Sequence, residues 1–244
     1  MSDIQNAFRL IGSLDLTSLS HDDTEEKIAA LCAKAVTPYG TTAAVCVYPE
    51  WVPLARKLLK KTPVKVATVV NFPAGGNDFK LMKDEIKKGL SGGADEIDAV
   101  FPYRDFLAGN TDSCRRFLDI IQRECGKHTS KIILETGELA KASRIAEATR
   151  LCLNKGVGFI KTSTGKTPVS ATPEAANIIL ETIADSGRDV GFKASGGIRE
   201  FEEARKYLIL SEVILGADWP DPAHFRIGAS SLLDDLIRVI ENKD

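Results

Sequence analysis

The sequence is poor in the features that mark several large protein classes. No apolar run approaches the ~18 residues that a helix needs to cross a bilayer, so no membrane-spanning segment and no membrane partner are expected. The first residues, Met1-Ser-Asp-Ile-Gln-Asn6, carry neither the basic flank nor the apolar core of a secretory signal. Cysteine is sparse and scattered. Cys32, Cys46, Cys114, Cys125 and Cys152 form no Cys-x-x-Cys pair, and their odd number argues against a disulfide framework. Reduced thiols in a cytoplasmic protein are the expectation. The three histidines, His21, His128 and His224, lack metal-ligand spacing, so no metal site is expected. A formal net charge of −2 provides no field for nucleic acid or an anionic membrane surface. An anionic ligand must therefore be caught by a local basic site. There is no linker, repeat of low complexity or break in composition, which implies one domain over residues 1–244.

What is present is an alternation of short, β-branched apolar runs with longer amphipathic segments. The length, 244 residues, is close to the ~250 of an eight-stranded α/β barrel. Strands are expected at 13–17, 43–48, 64–70, 94–101, 131–135, 159–162, 190–194 and 225–229. A short N-terminal helix covers 3–10, and another starts near His21, capped by Asp22 or Asp23. A charged helix runs from about Asp78 to Leu90, and a last amphipathic one ends near Ile240. Residues 208–214 could be a strand; assigning them to the helical layer closes the count at eight. The fold class is therefore α/β, a parallel (β/α)8 TIM barrel with a short N-terminal helix.

Strands buried on both faces should be almost wholly apolar. These instead carry Asp15, Cys46, Asp98, Glu135, Lys161 and Lys193 toward their C-terminal ends, the catalytic side of such barrels. Lys161 sits in Gly158-Phe-Ile-Lys-Thr-Ser-Thr-Gly-Lys166. Lys193 follows 32 residues later in Val190-Gly-Phe-Lys-Ala-Ser-Gly-Gly197. That interval is one strand–helix–strand unit, so the two lysines are expected to end neighbouring strands ~4.8 Å apart. Two ammoniums so close disfavour each other's charge. One should lose its proton easily and serve as a nucleophile toward a carbonyl. Two unrelated lysines reaching water on long stems are the plain alternative. Asp98 is the candidate partner, as a proton relay, a buried counter-ion or both. Glu96 and Glu135 read as structural members of a polar barrel interior.

Three loops carry glycine and hydroxyl residues suited to an anion. Thr164-Gly165-Lys166 follows the sixth strand, Ser195-Gly196-Gly197 the seventh, and Gly228-Ala229-Ser230-Ser231 the eighth. Glycines let backbone N–H groups approach an anion, and a helix N-terminus adds its dipole. Together they point to a phosphorylated small substrate, although Ser230-Ser231 alone would also cap a helix. Cys46 is a buried apolar filler unless it lies on the rim within reach of aldehydes.

These blocks, with Leu14-Asp-Leu-Thr17, Ala44-Val-Cys-Val-Tyr-Pro49, Asn71-Phe-Pro73, Ala94 to Arg104, Glu135-Thr-Gly-Glu-Leu139 and Phe225 to Ser231, resemble the 2-deoxyribose-5-phosphate aldolases over nearly the whole chain. The resemblance implies a class I aldolase needing no metal or organic cofactor. Its reaction would cleave 2-deoxy-D-ribose 5-phosphate reversibly to D-glyceraldehyde 3-phosphate and acetaldehyde. It implies Lys161 as Schiff-base lysine, Lys193 as the lysine that keeps it deprotonated, and Asp98 as acid/base carboxylate. Lys166, Gly196, Gly197, Ser230 and Ser231, together with Thr164, Gly165 and Gly228 beside them, would bind phosphate. Asp15 would line the substrate site. A homodimer or higher homo-oligomer is implied as well. The chain departs from some members in ending Glu241-Asn-Lys-Asp244, with no tyrosine after Tyr207. The alternatives are another phosphosugar lyase or isomerase on the same barrel, or an inactive relative that binds a ligand.

Overall fold

In a computed structural model the described residues are 1–242. Lys243 and Asp244, part of the tail that lacks a tyrosine, lie outside them. Eight parallel strands close into a barrel: β1 (Leu14–Thr17), β2 (Ala44–Val47), β3 (Lys65–Val70), β4 (Glu96–Val100), β5 (Thr129–Ile133), β6 (Phe159–Lys161), β7 (Gly191–Ser195) and β8 (Phe225–Ala229). Each strand pairs with its sequence neighbours, and β1 closes on β8. A two-stranded hairpin at 36–41 precedes β2. The helices are α1 (Asp3–Gly12), α2 (Glu25–Lys34), α3 (Val52–Leu59), α4 (Phe79–Gly92), α5 (Tyr103–Leu107), α6 (Thr111–Cys125), α7 (Thr136–Leu139), α8 (Ala142–Leu153), α9 (Pro173–Ser186), α10 (Phe201–Leu215) and α11 (Leu232–Glu241). Residues 208–214 belong to α10, as the strand count required.

Two expectations shift. The cap of α2 is Thr24, whose hydroxyl accepts the Lys27 N–H; Asp22 instead pairs with the Lys27 ammonium. Glu135 lies beyond β5, which ends at Ile133. It occupies a left-handed turn with φ 57° that starts α7. A strand cannot continue through that conformation.

Alternation along each strand sorts the two sides of the barrel wall. Val45 and Val47 face outward into the main core, packed with helix residues such as Ile28, Ile86 and Phe117. Ala44 and Cys46, with Ala67 and Val69, form a separate small cluster inside, under Leu19, Tyr48 and Phe72. Small side chains here leave room for the long charged ones that fill the rest of the interior. No helix among the described residues is long and apolar enough to cross a membrane.

Candidate active site

The strand register places Lys161 directly beside Lys193. Lys161 is the last residue of β6, and both side chains enter the barrel. Asp98, from β4, reaches them across the interior. Its Oδ2 accepts hydrogen bonds from Lys161 Nζ and Lys193 Nζ, each at 2.8 Å. The three residues that the sequence nominates for chemistry are thus in direct contact.

Two further cations share the interior, and sequence pattern alone did not single out either. Lys131, beside Asp98 in the β4–β5 register, donates to Asp98 Oδ1 at 2.8 Å and lies 2.5 Å from Glu96 Oε2. Arg226, beside Lys193 in the β7–β8 register, donates to Asp15 Oδ1 at 2.7 Å and Glu96 Oε1 at 3.0 Å. Asp15 Oδ2 takes Lys193 Nζ at 2.5 Å and Lys131 Nζ at 3.2 Å. Asp15 is therefore a buried anion beneath the lysines. Glu96 holds the lower end of the same network, where half-exposed Lys65 reaches its Oε1 at 3.3 Å. A signal was present for Arg226, which interrupts the apolar run Phe225–Ala229; Lys131 follows Thr129 and Ser130 and only heads its apolar run.

The charges set the buried cations apart from one another. Three carboxylates, Asp15, Glu96 and Asp98, face four deeply buried cations, Lys131, Lys161, Lys193 and Arg226. If all seven were ionised, one positive charge would be left over in a low-dielectric interior, which is costly. The surplus falls on Lys161. Burial lowers its pKa; Asp98 opposes this, and the Lys193 ammonium adds to it. Lys193 and Lys131 are also penalised by burial, yet Asp15 and Asp98 outweigh that and hold both pKa values above the usual one. For Asp98, burial favours the neutral acid, but the lysines around it prevail and keep it ionised. Lys161 has one carboxylate; its neighbours have two or three.

Lys161 also opens onto a cleft of about 250 Å³ at the C-terminal end of the barrel. Thr164, Gly165, Lys166, Gly196, Gly197, Gly228 and Ser230 line it, with Arg199, to which the sequence reading assigned no role. Gly165, Gly196 and Gly197 have φ of 75°, 89° and 82°, a left-handed region that suits turns exposing backbone N–H groups. Gly228 meets a different demand: a Cβ there would lie 2.9 Å from Ser195 Cβ and 3.0 Å from Lys193 Cε. Without a side chain, β8 lets Lys193 pass to Asp98. Ser231 is outside the cleft lining and is the N-cap residue of α11. Lys166 folds over the cleft and donates from Nζ to the Leu19 carbonyl at 2.8 Å. Replacing Lys166 with Ala should raise KM about tenfold or more for an anionic substrate with kcat much less changed. Steady-state kinetics check this, and an unaltered KM would remove Lys166 from the binding site.

Cys46 is fully buried, and burial, followed by the Asp98 charge, pushes its thiol up to about 11. It is a neutral thiol packed behind the lysines. Among the described residues, no group of three or more His, Cys, Asp and Glu side chains is placed to hold a metal ion.

A closed parallel barrel that presents a buried lysine to a glycine-rimmed cleft at the C-terminal ends of its strands is the framework of a barrel enzyme. The chain belongs to the DeoC/LacD family of aldolases, whose model matches residues 9–236. Three solved structures show the likeness. One from Coccidioides immitis, provisionally named a deoxyribose-phosphate aldolase, is 29% identical; the match covers 96% of this chain and 86% of that one at a TM-score of 0.84. One from Toxoplasma gondii ME49, provisionally named in the same way, is 25% identical, with 99% and 96% covered and a TM-score of 0.88. QR15, an aldolase, is 30% identical, with 95% and 96% covered and a TM-score of 0.82.

Proposed function

We propose that this aldolase cleaves 2-deoxy-D-ribose 5-phosphate through a Schiff base on Lys161. The observation that carries the reading is the electrostatic asymmetry of the lysine pair: Lys161 alone is driven toward the neutral amine, and it opens to the cleft. Neutral Nζ attacks the C1 aldehyde carbon of the open-chain sugar. The Asp98 carboxylate takes the proton that the attacking nitrogen sheds and returns it to the carbinolamine oxygen, and the Lys193 ammonium on the same Oδ2 supplies the second proton with which that oxygen leaves as water. A base removes the C3 hydroxyl proton, and the C2–C3 bond breaks. Its electron pair moves into the iminium, giving an enamine and releasing D-glyceraldehyde 3-phosphate. Protonation at C2 and hydrolysis of the iminium release acetaldehyde and restore the amine. The glycine-rich loops and Lys166 hold the phosphate, so that C1 sits over Nζ. Family resemblance supports a homo-oligomeric, cytoplasmic enzyme with no nucleic-acid partner.

The test is borohydride reduction in the presence of acetaldehyde, followed by peptide mapping. An N-ethyl group on Lys161 is expected. An adduct confined to Lys193 would reverse the two roles, and folded protein with no adduct would overturn the Schiff-base reading.

A further inference from the structure

One buried carboxylate at the catalytic end lies outside the lysine network. Glu135 is fully buried, yet no cation touches either of its oxygens among the described residues. Its side-chain hydrogen bonds go instead to one loop, the segment joining β6 to α9. Oε1 accepts the Thr164 N–H at 3.2 Å, and Oε2 accepts the Thr164 hydroxyl at 2.5 Å. Thr167 Oγ1 lies 3.2 Å from Oε1 and 3.1 Å from the Val169 carbonyl, sharing its proton between them. The Thr164 hydroxyl in turn accepts the Lys166 N–H at 3.0 Å. The carboxylate therefore fixes the turn from Thr164 to Thr167, which carries Gly165 and Lys166 into the cleft.

Backbone geometry aims it there. Glu135 has φ 57° and ψ 62°, a conformation that costs an ordinary residue energy and persists where its surroundings require it. A second contact from the same turn braces the loop further along. A Cβ on Gly137 would stand 2.2 Å from the Val169 carbonyl oxygen, so the loop backbone lies directly on this turn. Thr136 N–H donates to the Thr162 carbonyl at 3.0 Å, and Ser195 Oγ to the Ser163 carbonyl at 2.6 Å, tying the loop's root to its neighbours on both sides.

We infer that Glu135 is a positioning residue for phosphate binding: it presets the Thr164–Thr167 turn and so places Lys166 and the Gly165 N–H for the anionic end of the substrate. It takes no part in proton transfer. The inference rests on the phosphosugar reading above. It separates the phosphate end of the site, held by Glu135, from the carbonyl end, held by Asp98 and the lysines.

The experiment compares 2-deoxyribose 5-phosphate with 2-deoxyribose in the full-length wild type, Glu135→Gln and Thr167→Val. Gln keeps the shape but turns an N–H₂ toward the Thr164 hydroxyl, which can no longer donate to it. For Glu135→Gln, KM for the phosphorylated substrate should rise roughly tenfold to a hundredfold. Its kcat/KM on 2-deoxyribose should change by less than about threefold, with an unshifted pH profile. Thr167→Val, at a partly exposed loop position, should move KM the same way by roughly threefold, which keeps the test open should Glu135→Gln not fold. Equal losses on both substrates, or unchanged KM in both variants, would overturn the inference. A wild type that does not prefer the phosphorylated sugar would remove the phosphosugar reading itself, and this inference with it. That failure appears in the wild-type rates, the other in the variants.

Discussion

Lys161→Met should abolish aldol cleavage while leaving the barrel folded. A loss of at least about 10⁴-fold in kcat is expected, the scale seen when a covalent nucleophile is removed. No other group is set to replace it. Lys193 and Lys131 are held as ammoniums by Asp15, Asp98 and, for Lys131, Glu96, and a protonated amine has no lone pair to attack with. The fold should tolerate the change because of the same charge count that selects Lys161. Without it, three carboxylates face three buried cations, and Asp98 keeps Lys131 on Oδ1 and Lys193 on Oδ2. Methionine fills a similar volume, so stability should move by less than about 1.5 kcal/mol. Denaturant unfolding would measure the second effect and a coupled assay the first. A residual rate above about 1% of wild type would mean that another amine carries the chemistry.

Lys193→Leu should displace the pH dependence as well as slow the reaction. In the intact site, Asp98 Oδ2 is shared between two ammonium positions. The Lys193 charge opposes protonation of Lys161, whose pKa is lowered by burial first and by Lys193 in addition. Leucine removes that repulsion and leaves Oδ2 to Lys161 alone. Both changes stabilise the Lys161 ammonium, so its pKa rises. Because the neutral amine is the reactive form, the acid limb of kcat/KM must move to higher pH. At a fixed pH below that limb, the rate falls about tenfold each time the limb moves up by about one pH unit. A loss of roughly 10²-fold at about pH 7, recovering partly toward pH ~9–10, is expected. A profile that drops uniformly with no displacement would show that Lys193 does not tune Lys161. Stability should survive, because Asp15 retains Arg226 and Lys131.

Much of this molecule was legible in one dimension. Strands buried on both faces must be short apolar runs, so all eight could be counted. Residues 208–214 fell into α10 because a ninth strand could not close the barrel. Lysines at the ends of two such runs, one strand–helix–strand unit apart, had to become neighbours, and the register Lys161 to Lys193 is that result. The glycine and serine clusters after β6, β7 and β8 converge because parallel strands put all those loops at one end; the cleft lining contains most of them.

The depth of each side chain was not legible. Lys131 heads its apolar run and Arg226 interrupts one, but whether such a residue enters the barrel or escapes to water depends on the pleat and shear of the closed sheet. Asp15, which the resemblance set along the substrate site, lies as a buried anion under Lys193, a depth that the linear order does not show. Glu135 looked like a strand end, and a left-handed turn carries it onto the next loop. Local pattern is set by short-range sterics and burial, so the linear order of residues is enough to specify the strands, their succession and the lysine pair. The sharing of three carboxylates among four cations, which decides the lysine whose pKa is lowered, involves residues up to 211 positions apart. Closure of the barrel alone brings those charges within a few ångströms, where Coulomb energy and desolvation outweigh anything local.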